Sequence, residues 1–147
     1  KDAVRLTIGG VGEDKRLLEQ ISQLGLEEVV TYAGWLAGDA KDQAMRQADI
    51  VILPSHIECM PVCLLEAGVY RMPSIATNVG GIPDIISDGV NGRIFPDADN
   101  EAMITCIESY IDKPSLLAVH GAAAESLVAK NMPDRVEQMV HDLYRTM

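Results

Sequence analysis

The sequence has few aromatic residues and few positive charges, and both shortages restrict what the chain can bind. Phe, Trp and Tyr make up 4% of its 147 residues, too little for an open surface on which bases stack. Its 12 Lys and Arg residues stand against 22 Asp and Glu residues, and the formal net charge is -10. Because nucleic acids and anionic membrane surfaces bind clustered positive charge, neither is predicted as a partner.

The sequence also lacks long apolar runs and a cysteine framework. No stretch reaches the roughly 18 consecutive apolar residues that a membrane span requires. Three cysteines at irregular spacing favour a reduced, cytoplasmic setting over a secreted one. His56, Cys59 and Cys63 lie close together in the sequence, but their spacing is not common in zinc sites and no fourth ligand is evident. No metal site is therefore predicted.

Short apolar runs alternate with helical patterns through most of the chain. Strands are predicted from the apolar runs at 5–10, 29–34, 49–55, 74–78 and 91–96. Helices are predicted at 17–24, at 39–48 with Asp39 as its cap, from Pro61, from Pro83, and through the last third with apolar faces at 103–111 and 136–143. The alternation predicts one α/β domain over residues 1–147, with a Rossmann-like parallel sheet, helices on both faces and a helical C-terminal region.

Ligands of such sheets bind beyond the carboxyl ends of the strands, which directs attention to the loops at 9–13, 34–39 and 54–61. The first loop contains Gly-x-Gly, but the third glycine of a dinucleotide fingerprint is replaced by Lys15. A tight turn between strand and helix is the better interpretation of that loop.

The stretch PSHIECMPVCLLEAG, residues 54–68, is the strongest candidate site. Pro61 is predicted as the first residue of a helix, where its missing N–H has no cost. The amides of Val62, Cys63 and Leu64 would then be free to bind an anion. Glu58 and Glu66 flank this helix start and could accept hydrogen bonds from sugar hydroxyls.

A second glycine turn repeats this design on a smaller scale. In NVGGIPDIISDGVNG, residues 78–92, Gly80 and Gly81 permit close approach of the backbone, and Pro83 and Asp84 favour a helix start. This turn is predicted to form the far wall of the same pocket.

These motifs together resemble the glycosyl transferases group 1 family, the retaining, nucleotide-sugar-dependent enzymes with the two-domain GT-B fold. The resemblance rests on Glu-x7-Glu within PSHIECMPVCLLEA, followed by PSIATNVGGIPDII and DGVNGRIFP in the family's order and spacing. It extends back through LTIGGVGEDKRL, VVTYAGWL and ADIVILPS and covers nearly the whole chain.

The resemblance implies a role for each candidate residue. Glu58 would be the catalytic residue that contacts the donor sugar, and Glu66 would bind the ribose. The amides of Met60, Val62 and Cys63 would hold the diphosphate, Trp35 and Leu36 would lie beside the base, and Gly80 and Gly81 would approach the sugar-phosphate end. The family uses no metal and no further cofactor.

The sequence departs from the family pattern at three positions. Cys59 and Arg71 stand where glycine is usual, and Asp84 stands where glutamate is usual. A β-carbon at Arg71 is expected to strain a left-handed helix cap.

By comparison with the family, the chain corresponds to the C-terminal, donor-binding domain. An N-terminal acceptor domain, and the first strand and helix of the donor domain, would lie outside it. We therefore expect the isolated chain to bind nucleotide weakly and to be inactive. A sheet without its central strand is also expected to self-associate through an exposed edge.

The implied activity of the full-length protein is that of a hexosyltransferase in surface polysaccharide or glycolipid synthesis. The acceptor would be a glycan or lipid-linked sugar, and the setting cytoplasmic, including the periphery of the inner membrane. A sugar-nucleotide epimerase of the same fold and a non-catalytic nucleotide-binding module are the alternatives.

Overall fold

Five short strands alternate with helices in the computed structural model, which describes residues 4–12 and 14–130. The strands are β1 (Leu6–Gly9), β2 (Val30–Gly34), β3 (Val51–Leu53), β4 (Ser74–Thr77) and β5 (Gly92–Phe95). The helices are α1 (Asp14–Gln23), α2 (Gly38–Gln47), α3 (Val62–Val69), α4 (Ile82–Ile85), α5 (Asn100–Asp112) and α6 (Ser115–Lys130). The predicted alternation is confirmed, while the predicted apolar face at 136–143 lies outside the described residues.

All strand pairs are parallel, and they form two sheets. β1 pairs with β2, and a second sheet has the order β3-β4-β5. The chain correspondingly divides into two compact units, Lys1–Gln47 and Ala48–Met147. The single domain over residues 1–147 stays a prediction.

The first unit has a thin apolar core. Among its described residues, Ile21 of α1 is the one buried hydrophobic side chain, while Leu18 and Leu24 are 50% and 70% exposed. Polar contacts order the turn between β1 and α1, where the Tyr32 hydroxyl lies 2.6 Å from Asp14 Oδ1. This hydrogen bond to a carboxylate raises the pKa of Tyr32.

The second unit buries both faces of its central strand, β4. All four residues of β4 are buried, and side chains of neighbouring residues in a strand point to opposite faces. Ala76 packs in a cluster with Leu64 of α3 and Ile82 of α4. Ile75 packs in another cluster with the α5 residues Cys106 and Tyr110, and Phe95. Helices therefore cover both faces of this sheet, as the sequence predicts.

Helices α3 and α6 approach so closely that each needs a glycine. A β-carbon added to Gly68 of α3 would lie 2.3 Å from Val128 Cγ2, and one added to Gly121 would lie 2.0 Å from the carbonyl oxygen of Arg71. Carbon atoms in contact are normally about 3.5–4 Å apart, so neither position has room for a side chain.

Helix α3 ends in a Schellman motif that contains an arginine in place of the usual glycine. The amide of Arg71 donates to the carbonyl of Gly68, and the amide of Met72 donates to that of Ala67. Arg71 has a φ of 57°, in the left-handed region. The expected strain at this position is confirmed, because a β-carbon in this conformation costs roughly 1–2 kcal/mol.

Three predicted helix starts are corrected by one or two residues. Pro61 is the N-cap of α3, with φ −72° and ψ 106°, so Val62 is the first helical residue. Asp39 lies inside the first turn of α2, which begins at Gly38, and α4 begins at Ile82, before Pro83. Proline disfavours α-helical geometry in the residue before it, yet Ile82 is helical.

A buried polar pair joins α5 to α6. The Tyr110 hydroxyl lies 2.8 Å from His120 Nδ1, and the two rings meet edge to face. Burial raises the pKa of Tyr110 to about 12 and lowers that of His120. The pair is therefore neutral at pH 7. None of the described helices has the length and apolar character needed to cross a bilayer.

Candidate functional site

The start of α3 supplies two early amides for an anion. The amides of Val62 and Cys63 precede the first hydrogen bond of the helix, in which the Leu64 amide donates to the carbonyl of Pro61 over 3.1 Å. The predicted set of three free amides is therefore wrong at Leu64, whose amide already has an acceptor. Pro61 itself is buried and fixes the direction in which the chain enters the helix.

Glu58 and Glu66 both act on the thiol of Cys63. Burial raises the pKa of this thiol, and the charges of Glu58 and Glu66 raise it further, against a smaller opposing effect of the Cys63 and Leu64 amides. Both carboxylates therefore lie near the side of α3 on which the thiol lies. Because Cys63 stays a neutral thiol at pH 7, it adds no negative charge where an anion would bind.

The Gly80-Gly81 turn packs directly against the loop that carries Glu58. A β-carbon at Gly80 would lie 1.7 Å from the carbonyl oxygen of Glu58, and one at Gly81 would lie 2.1 Å from that of Cys59. Gly80 also has a φ of 53°, which glycine adopts at no steric cost. The structure thus brings together the two walls of the predicted pocket.

One hydrogen bond connects this loop to the central strand, and a second lies within the loop. The hydroxyl of Thr77, at the end of β4, donates to the carbonyl oxygen of Ser55 over 2.5 Å. The hydroxyl of Ser55 in turn donates to Glu58 Oε1 over 2.7 Å. Glu58 is half-buried and held by a side chain, which differs from a solvated loop glutamate.

A third contact ties the same loop to the segment after β5. His56 Nδ1 lies 2.6 Å from Asp97 Oδ1. The next residue, Ala98, has a φ of 58°, an uncommon conformation for alanine. The loop between β3 and α3 is therefore fixed to the segments that follow β4 and β5.

The arrangement suits a ligand with an anionic centre and hydroxyl groups at its ends. Early helix amides favour an anion, and carboxylates accept hydrogen bonds from hydroxyls. Met60 and Val62 are 65% and 62% exposed, so the start of α3 is open to a ligand. Within residues 4–12 and 14–130, no group of three or more His, Cys, Asp or Glu side chains could hold a metal ion.

Seven of the nine predicted site residues lie in the second unit, and Trp35 and Leu36 lie in the first. Trp35 is 73% exposed in the loop after β2. Leu36 packs over β1, since a β-carbon at Gly9 would lie 2.9 Å from Leu36 Cδ1. The roles of all nine residues stay predictions.

Sequence reasoning missed the supporting residues Ser55, Thr77 and Asp97. Each follows or ends a parallel strand, at the sheet edge where ligands of such folds bind. A search for hydroxyl and acidic residues at the carboxyl ends of predicted strands could have found them. The partners of Thr77 and Asp97 are distant in the sequence and depend on how the strands pair.

Curated proteins of similar sequence are glycosyltransferases by name. The chain is 27% identical to D-inositol 3-phosphate glycosyltransferase of Saccharomonospora viridis over 136 residues, which cover 92% of this chain and 32% of that protein. It is 32% identical to sulfoquinovosyl transferase SQD2 of Arabidopsis thaliana over 129 residues, which cover 86% of this chain and 25% of that protein. The chain thus spans about a third or less of these curated relatives.

Solved structures show the same fold. The crystal structure of Anabaena Alr3699/HepE in complex with UDP matches with a TM-score of 0.82 at 24% identity, covering 98% of this chain and 41% of that one. The same protein in complex with UDP-glucose matches with a TM-score of 0.81 at 25% identity and the same coverage. The predicted fold, that of a GT-B C-terminal domain, is confirmed.

The sequence model described as Glycosyl transferases group 1 matches residues 1–127, most of the chain. The chain belongs to the glycosyl transferases group 1 family.

Proposed function

We propose that this chain is the donor-binding part of a retaining glycosyltransferase that takes its sugar from a nucleotide diphosphate sugar. The observation that carries the proposal is the packing of the Gly80-Gly81 turn against the loop that carries Glu58, directly before the helix that carries Glu66. The complexes of HepE with UDP and UDP-glucose support a nucleotide sugar as the ligand class.

Each part of the site takes one part of the donor in this proposal. The amides of Val62 and Cys63 hold the diphosphate, Glu66 binds the ribose, and Glu58 binds hydroxyls of the sugar. The Gly80-Gly81 turn lies next to Glu58 and closes the sugar end. The role of Trp35 and Leu36 beside the base stays a prediction from the family resemblance.

The chain contributes to transfer by positioning the donor and stabilising charge. When the bond between the anomeric carbon and the diphosphate breaks, negative charge grows on the departing oxygen. Fixed amides at the start of α3 stabilise that charge without having to reorganise. Holding the sugar in one orientation lowers the entropic part of the barrier.

The rest of the proposed reaction belongs to the full-length protein. The acceptor is a glycan or lipid-linked sugar bound by an N-terminal domain, and the product enters surface polysaccharide or glycolipid synthesis. The reaction takes place in the cytoplasm or at the inner face of the membrane, and it requires neither a metal nor a further cofactor.

Binding of a donor panel tests the proposal. The chain would be titrated with three nucleotide sugars, UDP-glucose, GDP-mannose and ADP-glucose, and with the matching nucleoside diphosphates UDP, GDP and ADP. Its backbone amide NMR signals would be recorded at each step. We expect weak binding of one nucleotide class, with the largest shifts at the amides of Val62, Cys63, Gly80 and Gly81.

Two glutamate variants separate the predicted roles. Hydrogen bonds to charged groups contribute about 1.5–3 kcal/mol, so each loss should weaken binding about 10- to 100-fold. Glu66→Ala should weaken the binding of the nucleoside diphosphate and of the nucleotide sugar alike. Glu58→Ala should weaken the binding of the nucleotide sugar only. Glu108→Ala, on the exposed side of α5, is the control and should change neither. Equal binding by all three variants would contradict the proposal.

A further inference from the structure

Resting on the proposed function, we infer that Ser55 is a positioning residue that holds the carboxylate of Glu58 ready for the donor sugar. Its hydroxyl donates to Glu58 Oε1 over 2.7 Å. A glutamate side chain has several rotatable bonds, and fixing them costs free energy at the moment of binding. A hydrogen bond formed before the ligand arrives removes part of that cost.

Thr77 fixes Ser55 in turn. The Thr77 side chain is buried at the end of the central strand, and its hydroxyl donates to the backbone carbonyl of Ser55. The carbonyl of Ser55 is thus tied to a strand whose four residues are all buried. The backbone of Ser55 is therefore anchored to the buried central strand.

The backbone on the other side of the Glu58 side chain is also restrained. The carbonyls of Glu58 and Cys59 pack against Gly80 and Gly81, and His56 contacts Asp97. These contacts hold the backbone of the loop. Among the residues that the structure describes, the hydrogen bond to the carboxylate of Glu58 comes from the Ser55 hydroxyl.

The hydrogen bond also leaves one carboxylate oxygen for a ligand. Ser55 occupies Oε1, and a carboxylate accepts bonds at both oxygens. Glu58 Oε2 can therefore accept a hydroxyl of the donor sugar while Oε1 stays bound to Ser55. Loss of the Ser55 hydroxyl should therefore weaken the binding of the sugar part of the donor and leave the binding of the nucleotide part unchanged.

The first experiment needs no ligand and measures the Glu58 side chain directly. NMR three-bond couplings of the chain would report the χ1 and χ2 rotamers of Glu58 in wild type, Ser55→Ala and Ser55→Thr. We expect one dominant rotamer in wild type and Ser55→Thr, which keeps a hydroxyl, and averaged couplings in Ser55→Ala. The same single rotamer in Ser55→Ala would overturn the inference.

The second experiment measures the ratio of the Kd for UDP to the Kd for UDP-glucose. If another nucleotide class binds, the same ratio is measured for that nucleoside diphosphate and its nucleotide sugar. Ordering one flexible side chain costs about 0.5–1.5 kcal/mol, so Ser55→Ala should reduce this ratio by about two- to tenfold. The Kd for the free diphosphate should stay unchanged. Thr77→Val should have the same effect, and Thr77→Ser should restore the wild-type ratio.

Ser109→Ala is the matched control, because Ser109 donates within α5 to the carbonyl of Cys106. It should leave both the rotamer and the ratio unchanged. A wild-type ratio in Ser55→Ala would overturn the inference even where the nucleotide binds normally. Failure of wild type to bind any nucleotide sugar would count against the proposed function, and the rotamer measurement would still decide whether Ser55 holds Glu58.

Discussion

At Gly80, a left-handed backbone conformation coincides with a close contact at the candidate site. Its φ is 53°, and an added β-carbon would lie 1.7 Å from the carbonyl oxygen of Glu58. Gly89 provides a matched comparison, because its φ is 72° but a β-carbon there would meet nothing within 4 Å. The two glycines separate the cost of conformation from the cost of contact.

We predict that Gly80→Ala lowers the free energy of unfolding by clearly more than Gly89→Ala. The left-handed conformation should cost about 1–2 kcal/mol in both variants. Only Gly80→Ala must in addition move the loop that carries Glu58. Urea denaturation of both variants would measure the difference, and equal losses would contradict the close packing of the two segments.

The sequence was sufficient to predict the residues with a direct chemical signature. Glu58, Glu66 and the Gly80-Gly81 turn stand out by residue type and spacing. Ser55 and Thr77 do not, because a serine or threonine can donate to many partners. The hydrogen bond from Thr77 to Ser55 forms only because β3 and β4 are neighbours in parallel register.

At the scale of secondary-structure elements, the Tyr110–His120 pair makes the packing of α5 on α6 depend on pH. His120 is 4% exposed, and burial is the main cause that lowers its pKa below the ordinary value of 6.5. Arg93 lowers the pKa further, while Asp88 and a hydrogen bond to the backbone of Gly89 raise it. Protonation of Nδ1 would also remove the acceptor of the Tyr110 hydroxyl.

We predict that stability falls as the pH drops below about 6.5. Between the folded and unfolded pKa values of His120, the unfolded chain binds more protons, so the free energy of unfolding rises with pH in that window. This contribution is complete above the unfolded pKa. Urea denaturation at pH 7.5 and 5.5 should show a smaller pH effect in His120→Gln than in wild type. Equal pH effects in the two proteins would contradict the prediction.

Element types were predicted better than element starts. Apolar runs and helical spacing predicted the strands and helices, while Pro61 was placed one residue too far into α3. The missing N–H of proline costs nothing either at the N-cap or at the first helical position, because neither amide has an acceptor within the helix. Which of the two positions Pro61 takes depends on the geometry of the loop before it. That geometry is set by the contacts of Glu58 and Cys59 with Gly80 and Gly81.

At the scale of the whole molecule, the two units differ in how much apolar surface they bury. Ile21 is the one buried hydrophobic side chain among the described residues of the first unit, whereas every residue of β4 in the second unit is buried. Buried apolar contacts are what makes a segment resist local opening.

We predict that the backbone amides of β1 and β2 exchange with solvent faster than those of β4, by at least about tenfold. Hydrogen exchange followed by mass spectrometry on peptides from each strand would measure this. Similar protection in the two units would show that the first unit gains stability from contacts other than apolar burial.

The predicted self-association through a sheet edge concerns β3 and β5, which are the edges of the three-stranded sheet. Sedimentation of the same sample would measure it.

The close packing of α3 on α6 has a consequence for where the chain can be shortened. Glu66 is carried by a helix whose Gly68 rests against Val128, some sixty positions further along the chain. A truncation within α6 before Val128 would delete none of the predicted site residues, yet it would remove the side chain against which the helix that carries Glu66 packs. Anyone trimming this protein toward a minimal sugar-nucleotide binder should therefore keep the whole of α6.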